Sequence, residues 1–322
     1  YDDTKIRKPG INAERMDGQT YKILWESAIS ADPDWVLITS WNEWHEGSEI
    51  EPSWEDGDKY IKITGEWTKQ FKKTPYSNAR TEKKASGISK EKADELRKLY
   101  KDKAIAVLPD FAGDSVFWLS SVGLNVKELS WQEVIDPSIF NVKNFPITVY
   151  AGYENYTQSV NENEDVDKAI LKYLEDGGTL MVFPAGPFPF FYNEKGEAVS
   201  FTTKFGLPIV GGWENPPADV KLSFQIDNKR LKGLPESVEF PKTGDLRWRP
   251  CVWKPNPANK DDVYFPLARL RDSSGRIYGD GIVYIEHKVS SPRNAKIIYS
   301  WMRMTDILDM DNLLFAILTL PY

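Results

Sequence analysis

The chain is poor in the residues that carry most metal and redox chemistry, with one cysteine, Cys251, and two histidines, His45 and His287. A lone cysteine closes no internal disulfide, and this Cys and His set offers no zinc-binding spacing. No cofactor or metal is expected. Long apolar runs are also missing: no stretch approaches the roughly 18 residues that a bilayer-crossing helix needs, so no membrane span is expected. The N-terminus lacks the basic-then-apolar pattern of a signal peptide and opens on Tyr1 rather than Met, so an upstream portion is expected. Basic excess is absent too. The formal charge is −7, and acidic and basic residues are interspersed, leaving no basic stripe to neutralise a phosphate backbone; nucleic acid is not an expected partner.

What is present is a globular composition, 41% hydrophobic and 28% charged over 322 residues, long enough for two domains. The 12 tryptophans are more than most cores require, and flat aromatic faces suit sugar rings. Ordinary core packing still accounts for most of them.

The first domain is read over residues 1–79. From Gly18 to Ser30, Tyr21, Leu24, Trp25, Ala28 and Ile29 recur at helical spacing on one face. Trp35 to Ser40 is a compact β-prone run that reads as a buried parallel strand. Asp58 to Phe71 aligns Tyr60, Ile63, Trp67 and Phe71 on a second helical face. Helix, strand, long loop, helix is the order of the last unit of a (β/α) barrel.

Polar residues between Thr74 and Gly87 read as a linker, and residues 80–102 as linker plus a charged helix from Ser89 to Tyr100. Residues 103–322 read as a doubly wound α/β domain. Its expected strands are Ala104–Pro109, Phe145–Tyr150, Thr179–Pro184 and Ala295–Trp301, and its expected helices Asp165–Glu175 and Asp306–Leu318. Gly113 and Asp114 read as a turn. Between about 220 and 290, short β-like runs separated by turns read as a β-rich insertion in that domain.

The informative motif is Ser40-Trp-Asn-Glu-Trp-His-Glu-Gly-Ser-Glu-Ile-Glu-Pro52. It follows the expected strand, and the C-terminal ends of strands are where barrel enzymes keep their chemistry. Glu43, Glu46, Glu49 and Glu51 are crowded among Trp41, Asn42, Trp44 and His45. Carboxylates among aromatics can be held at different protonation states by burial and mutual repulsion, which supplies an acid and a base together. Glycoside cleavage needs such a pair.

On that motif, Tyr1 to about Thr64 resembles the C-terminal end of glycoside hydrolase family 99, in which Trp/Phe-Asn-Glu-Trp-His-Glu-Gly is a signature. Tyr1-Asp-Asp-Thr-Lys-Ile-Arg7 resembles the end of that family's preceding strand, Gly18 to Tyr21 its penultimate helix, and Ile50-Glu-Pro52 its closing loop. The resemblance implies the C-terminal fragment of a (β/α)8 barrel from a retaining, endo-acting enzyme that cleaves α-mannosides through a 1,2-anhydro sugar. It implies Glu43 as the base on the sugar 2-hydroxyl and Glu46 as the acid at the leaving oxygen, with Tyr1, Trp41, Asn42, Trp44 and His45 binding substrate. The implied partners are an oligosaccharide or polysaccharide substrate and a missing N-terminal barrel portion, in the same parent chain or a separate one. It favours an extracellular or periplasmic location. A whole barrel takes about 250 residues, so this chain alone is expected to be inactive.

The second domain resembles class I glutamine amidotransferase-like or flavodoxin-like modules, chiefly through Asp176-Gly-Gly-Thr-Leu-Met-Val-Phe183. A working amidotransferase needs a nucleophilic Cys on the turn after a strand, where this chain has Pro184-Ala-Gly-Pro187. Cys251 reads as a structural thiol and His287 as a strand residue, so this domain is expected to be non-catalytic and to serve assembly or glycan contact. The competing function class is a carbohydrate-binding or assembly protein built on this second domain.

Overall fold

The computed structural model describes residues 1–322 except 8–9, 32, 34, 75–86, 110–112, 153–155, 184–187, 194, 200–202, 210–215, 218, 242–247 and 301–303. The chain divides into two compact units, Tyr1–Lys83 and Lys84–Tyr322. The segment read as a linker falls largely outside the described residues.

The first unit holds two helices, α1 (Gln19–Ser30) and α2 (Lys59–Lys73). A short 3-10 turn, Met16–Gly18, leads into α1. Gly18 takes φ +88°, and a Cβ there would come within 2.9 Å of Ile63 on α2; only glycine meets both demands. The helices join through Tyr21 and Thr64, whose hydroxyls are 2.9 Å apart, and through a small core of Trp25, Ile50, Tyr60 and Ile63.

The expected buried strand at 35–40 is not formed. Trp35 and Leu37 are 81% and 87% exposed, and no strand is assigned among the described residues of this unit. A parallel strand is stable when ladders flank it and helices cover its faces; here its β-prone side chains meet neither. For the same reason Leu24, on the expected apolar face of α1, stays 60% exposed.

The second unit is a mixed α/β structure built on a nine-stranded sheet. The strands are β1 (Ala104–Val107), β2 (Asn125–Glu128), β3 (Ile147–Tyr150), β4 (Thr179–Val182), β7 (Leu222–Ile226), β8 (Ser237–Glu239), β9 (Val263–Asp272), β10 (Ile277–Glu286) and β11 (Lys296–Ser300). A separate ribbon pairs β5 (Phe191–Tyr192) with β6 (Ala198–Val199). The sheet order is β2-β1-β3-β4-β11-β10-β9-β7-β8. The pairings from β2 to β11 are parallel and those from β11 to β8 antiparallel. β3 and β4 are buried along their whole length, as suits short apolar runs in a parallel sheet. β2 is a polar edge strand with no buried residue.

Helices α3 (Lys90–Leu99), α4 (Gly113–Ser121), α5 (Trp131–Val134), α6 (Asp165–Glu175) and α7 (Met310–Thr319) pack around this sheet. The Tyr100 hydroxyl after α3 donates to the Leu318 carbonyl of α7 at 2.9 Å, and Trp118 of α4 donates to Asp311 of α7 at 2.5 Å. α5 packs on α6. One expectation changes: Gly113 and Asp114 open α4 instead of making a turn. The β-rich stretch, read as an insertion in the α/β domain, supplies β7 to β10, which extend the main sheet past β11. The turn at 184–187, where an amidotransferase nucleophile would sit, lies outside the described residues.

Among the described residues no helix is long and apolar enough to cross a membrane, and no cluster of His, Cys, Asp and Glu is arranged to hold a metal.

Candidate functional site

The motif loop is closed by its own backbone. Ser40 N–H donates to the Ser48 carbonyl at 3.2 Å, and the N–H groups of Ile50 and Glu51 donate to the Trp41 carbonyl at 3.0 and 2.9 Å. A 3-10 turn, Trp44–Glu46, lies inside this ring and ends at Gly47, which has φ +57°. Arg15 fastens the ring from outside, donating to the carbonyls of Gly47 and Glu49, each at 2.8 Å, while its guanidinium lies over the Tyr60 ring at 4.3 Å. The N-terminal segment is stitched to the same place, with Asp2 N–H donating to the Glu46 carbonyl at 2.7 Å.

The four glutamates have different surroundings. Glu46 accepts from Arg7 Nη2 at 2.5 Å. Glu49 pairs through Oε1 with Arg15 at 2.9 Å, and its buried Oε2 has no partner among the described residues. Glu51 accepts from the Trp44 indole at 3.0 Å. Glu43 has a half-exposed carboxylate whose neighbour is the exposed His45, with Nε2 at 4.0 Å; Ser40 Oγ accepts from its backbone N–H at 3.1 Å.

Arg7 also donates to Asp3 at 2.7 Å and to the Tyr1 hydroxyl at 2.6 Å, and Tyr1 donates to Asp3 at 2.7 Å. Asp3 is buried. The Ile11 N–H, then Arg7 and Tyr1, hold its carboxyl down to about 2. Its bond to that carboxylate raises the Tyr1 hydroxyl above its ordinary value. Tyr1 is thus engaged within the chain on both sides of its oxygen.

Of the residues expected from sequence, Glu43, Trp44, His45 and Glu46 share one turn, and Trp41 and Asn42 enter it. Trp41 and Trp44 are about half exposed. A neighbouring cavity of about 190 Å³ is lined by Tyr1, Arg15, Tyr21, Leu24, Glu49 and Ile50 among others. Glu43 and Glu46 do not line it. Sequence reading missed Arg7, Asp3 and Arg15, since the contacts that bring the two arginines to the loop span more than 30 residues.

Residues 1–73 match the model of glycosyl hydrolase family 99. The chain is similar to a glycoprotein endo-alpha-1,2-mannosidase-like protein of Danio rerio, 33% identical over 90 residues, 23% of this chain and 20% of that protein. The Homo sapiens protein of the same description is 44% identical over 54 residues, 16% of this chain and 12% of its own length. The glycoprotein endo-alpha-1,2-mannosidase of Rattus norvegicus is 29% identical over 89 residues, 23% of this chain and 19% of its own. The chain thus spans a fifth or less of the length of these relatives. No solved structure matches it.

Proposed function

We propose that the first unit is the closing part of a family 99-type (β/α) barrel in a retaining, endo-acting glycoside hydrolase that cleaves α-mannoside-type glycans. The observation that carries this reading is the unequal setting of two glutamates on one turn: Glu43 stands open beside His45, while Glu46 is clamped by Arg7. The family match and the relatives' names support it. So do the exposed apolar side chains Leu24, Trp35, Leu37 and Ile38, which further barrel strands would cover.

In the proposed reaction Glu43 takes the proton from the sugar 2-hydroxyl. The 2-oxygen attacks the anomeric carbon as the bond to the leaving oxygen breaks, and Glu46 gives that oxygen its proton. Glu46 then removes a proton from water, which opens the 1,2-anhydro ring at the anomeric carbon; the ring oxygen is reprotonated by Glu43. Two inversions give retention. Arg7 holds the Glu46 side chain in place and is itself held by Asp3. Trp41 and Trp44 supply apolar walls for the sugar, with Asn42, His45 and Tyr1 as polar contacts.

The second unit is proposed to be a non-catalytic module of the amidotransferase-like or flavodoxin-like kind. The parallel order β2-β1-β3-β4-β11 has the pattern of doubly wound flavodoxin-type sheets. Cys251 is fully buried, and burial pushes its thiol well up, unlike an activated nucleophile.

The test uses the full-length protein that carries these residues, with α-mannan and high-mannose oligosaccharides. Glu43→Gln and Glu46→Gln should each lower turnover by about 10²–10⁴-fold. Near-normal cleavage by both variants, folded by circular dichroism, would falsify the assignment. Ammonia release from glutamine that disappears in Cys251→Ser would overturn the non-catalytic reading of the second unit.

A further inference from the structure

The turn between β9 and β10 is unusually well braced. The Asp272 carboxylate accepts from Ser274 N–H and Oγ at 2.9 and 2.6 Å, from Arg276 N–H at 3.0 Å and from the Tyr278 hydroxyl at 3.1 Å. Gly275, at φ +87°, lets the chain reverse there. The result is a rigid presentation of two side chains, Arg276 and Tyr278, with the guanidinium 5.1 Å from the Tyr278 ring centroid.

Both side chains line a cavity of about 480 Å³, together with Trp248, Asp219, Val220 and the pair Pro216 and Pro217. Trp248 is 1% exposed, held edge-on against Phe224 with centroids 6.4 Å apart. Its indole N–H is buried with no hydrogen-bond partner among the described residues.

The lining chooses the ligand. Arg276 only donates, and Asp219 only accepts. A free anion meets Asp219 and a free cation meets Arg276, whereas a hydroxyl satisfies either kind of partner. The Tyr278 ring and the two prolines offer apolar surface for C–H groups. The volume lies within the range of small-ligand clefts. From this we infer that the second unit carries a sugar-binding pocket, in which a neutral saccharide ring packs on Tyr278, with its hydroxyls bonded to Arg276 and Asp219. The inference stands on the second unit alone and is independent of the roles given to Glu43 and Glu46.

The test is isothermal titration of the 322-residue chain with three neutral probes, mannose, glucose and galactose tetrasaccharides, and one anionic probe, tetragalacturonate. Hydrogen exchange is then followed with the best binder. Saturable binding of at least one neutral probe is expected, with affinity about tenfold lower in Arg276→Ala and in Asp219→Asn. A tenfold loss corresponds to about 1.4 kcal/mol, the size of one hydrogen bond to a charged group. Both residues are exposed, so these variants should fold. Ligand should slow exchange in peptides covering 272–278 and leave 40–52 unchanged. Absence of saturable binding by any neutral probe, preference for tetragalacturonate, or protection confined to 40–52 would each overturn the proposal. The last outcome would leave the first-unit reading intact.

Discussion

The two units bury their apolar residues very differently. In the second, one continuous buried cluster runs from Leu96 to Leu318 and includes side chains of β1, β3, β4, β10 and β11. In the first, four buried side chains, Trp25, Ile50, Tyr60 and Ile63, form the core, while Trp35, Leu37 and Leu24 lie open. The difference shows where order comes from in each. The second unit is held by hydrophobic burial, at about 1.5–3 kcal/mol per large side chain. In the first, the candidate site is tied down by the loop's own backbone bonds and by guanidinium bonds from Arg7 and Arg15.

The largest effect should therefore come from cutting into the second core. Ile298, central in β11 and fully buried between β4 and β10, should cost about 2–5 kcal/mol on replacement by Ala. Urea unfolding followed by fluorescence should show this as a lower midpoint for the second unit. Ile63→Ala should leave that transition where it is. A shared shift in both variants would break the comparison, because it would show one cooperative structure.

A polar cut in the same unit should be smaller. Asp280, 2% exposed, accepts from Arg269 Nε at 2.6 Å and from the Tyr264 hydroxyl at 2.7 Å. Removing one partner of a fully buried pair costs about 3–5 kcal/mol; Arg269 keeps some access to water, so Asp280→Asn should cost about 2 kcal/mol in the same urea assay.

Much of the second unit was legible because its signals are local. Val166, Ile170 and Leu174 repeat at helical spacing and form the buried side of α6; Ser89 caps α3 by accepting from Lys92 N–H. β2 escaped notice because its burial is that of an edge strand, with little apolar content to detect. α5 is announced by Ser130 and Glu133, a capping box that is easily passed over in a helix of four residues. The 35–40 run misleads for the opposite reason. Its strand signal is strong, but a parallel strand is completed by neighbours, and those are not among the described residues. At the candidate site the motif itself was legible. The Tyr1–Asp3–Arg7 support was not, because nothing local in Tyr1 to Arg7 shows that Arg7 will reach Glu46, 39 residues away.

Acid should separate the units more gently. The Asp3 carboxyl sits at about 2, below its ordinary 3.8, so its folded form holds protons less well than the unfolded chain. A depressed value stabilises fully above the ordinary value and is lost as pH falls through the folded one. The N-terminal segment should thus loosen between about pH 4 and pH 2, seen as a falling protection factor for hydrogen exchange at Ile11, whose N–H donates to Asp3 at 2.5 Å. In Asp3→Asn the Ile11 exchange should lose this component of its pH dependence. An unchanged profile would mean that Asp3 does not hold the segment.

The smallest effect is expected where the first unit looks most fragile. Leu37 is the sort of side chain whose removal usually harms a protein, yet at 87% exposed it has few neighbours to lose. Leu37→Ser in the 322-residue chain should change stability by no more than about 0.5 kcal/mol, as for other exposed positions. The same substitution in the full-length protein becomes a test of the barrel reading. If further strands pack against the 35–40 segment there, Leu37 becomes a core residue, and its loss should cost about 2–5 kcal/mol, visible as a lower unfolding midpoint. A near-zero effect in both proteins would mean that the open face of the first unit is not completed by barrel strands. The second unit is not expected to show such context dependence at Ile298, whose sheet neighbours on both sides are supplied by this chain.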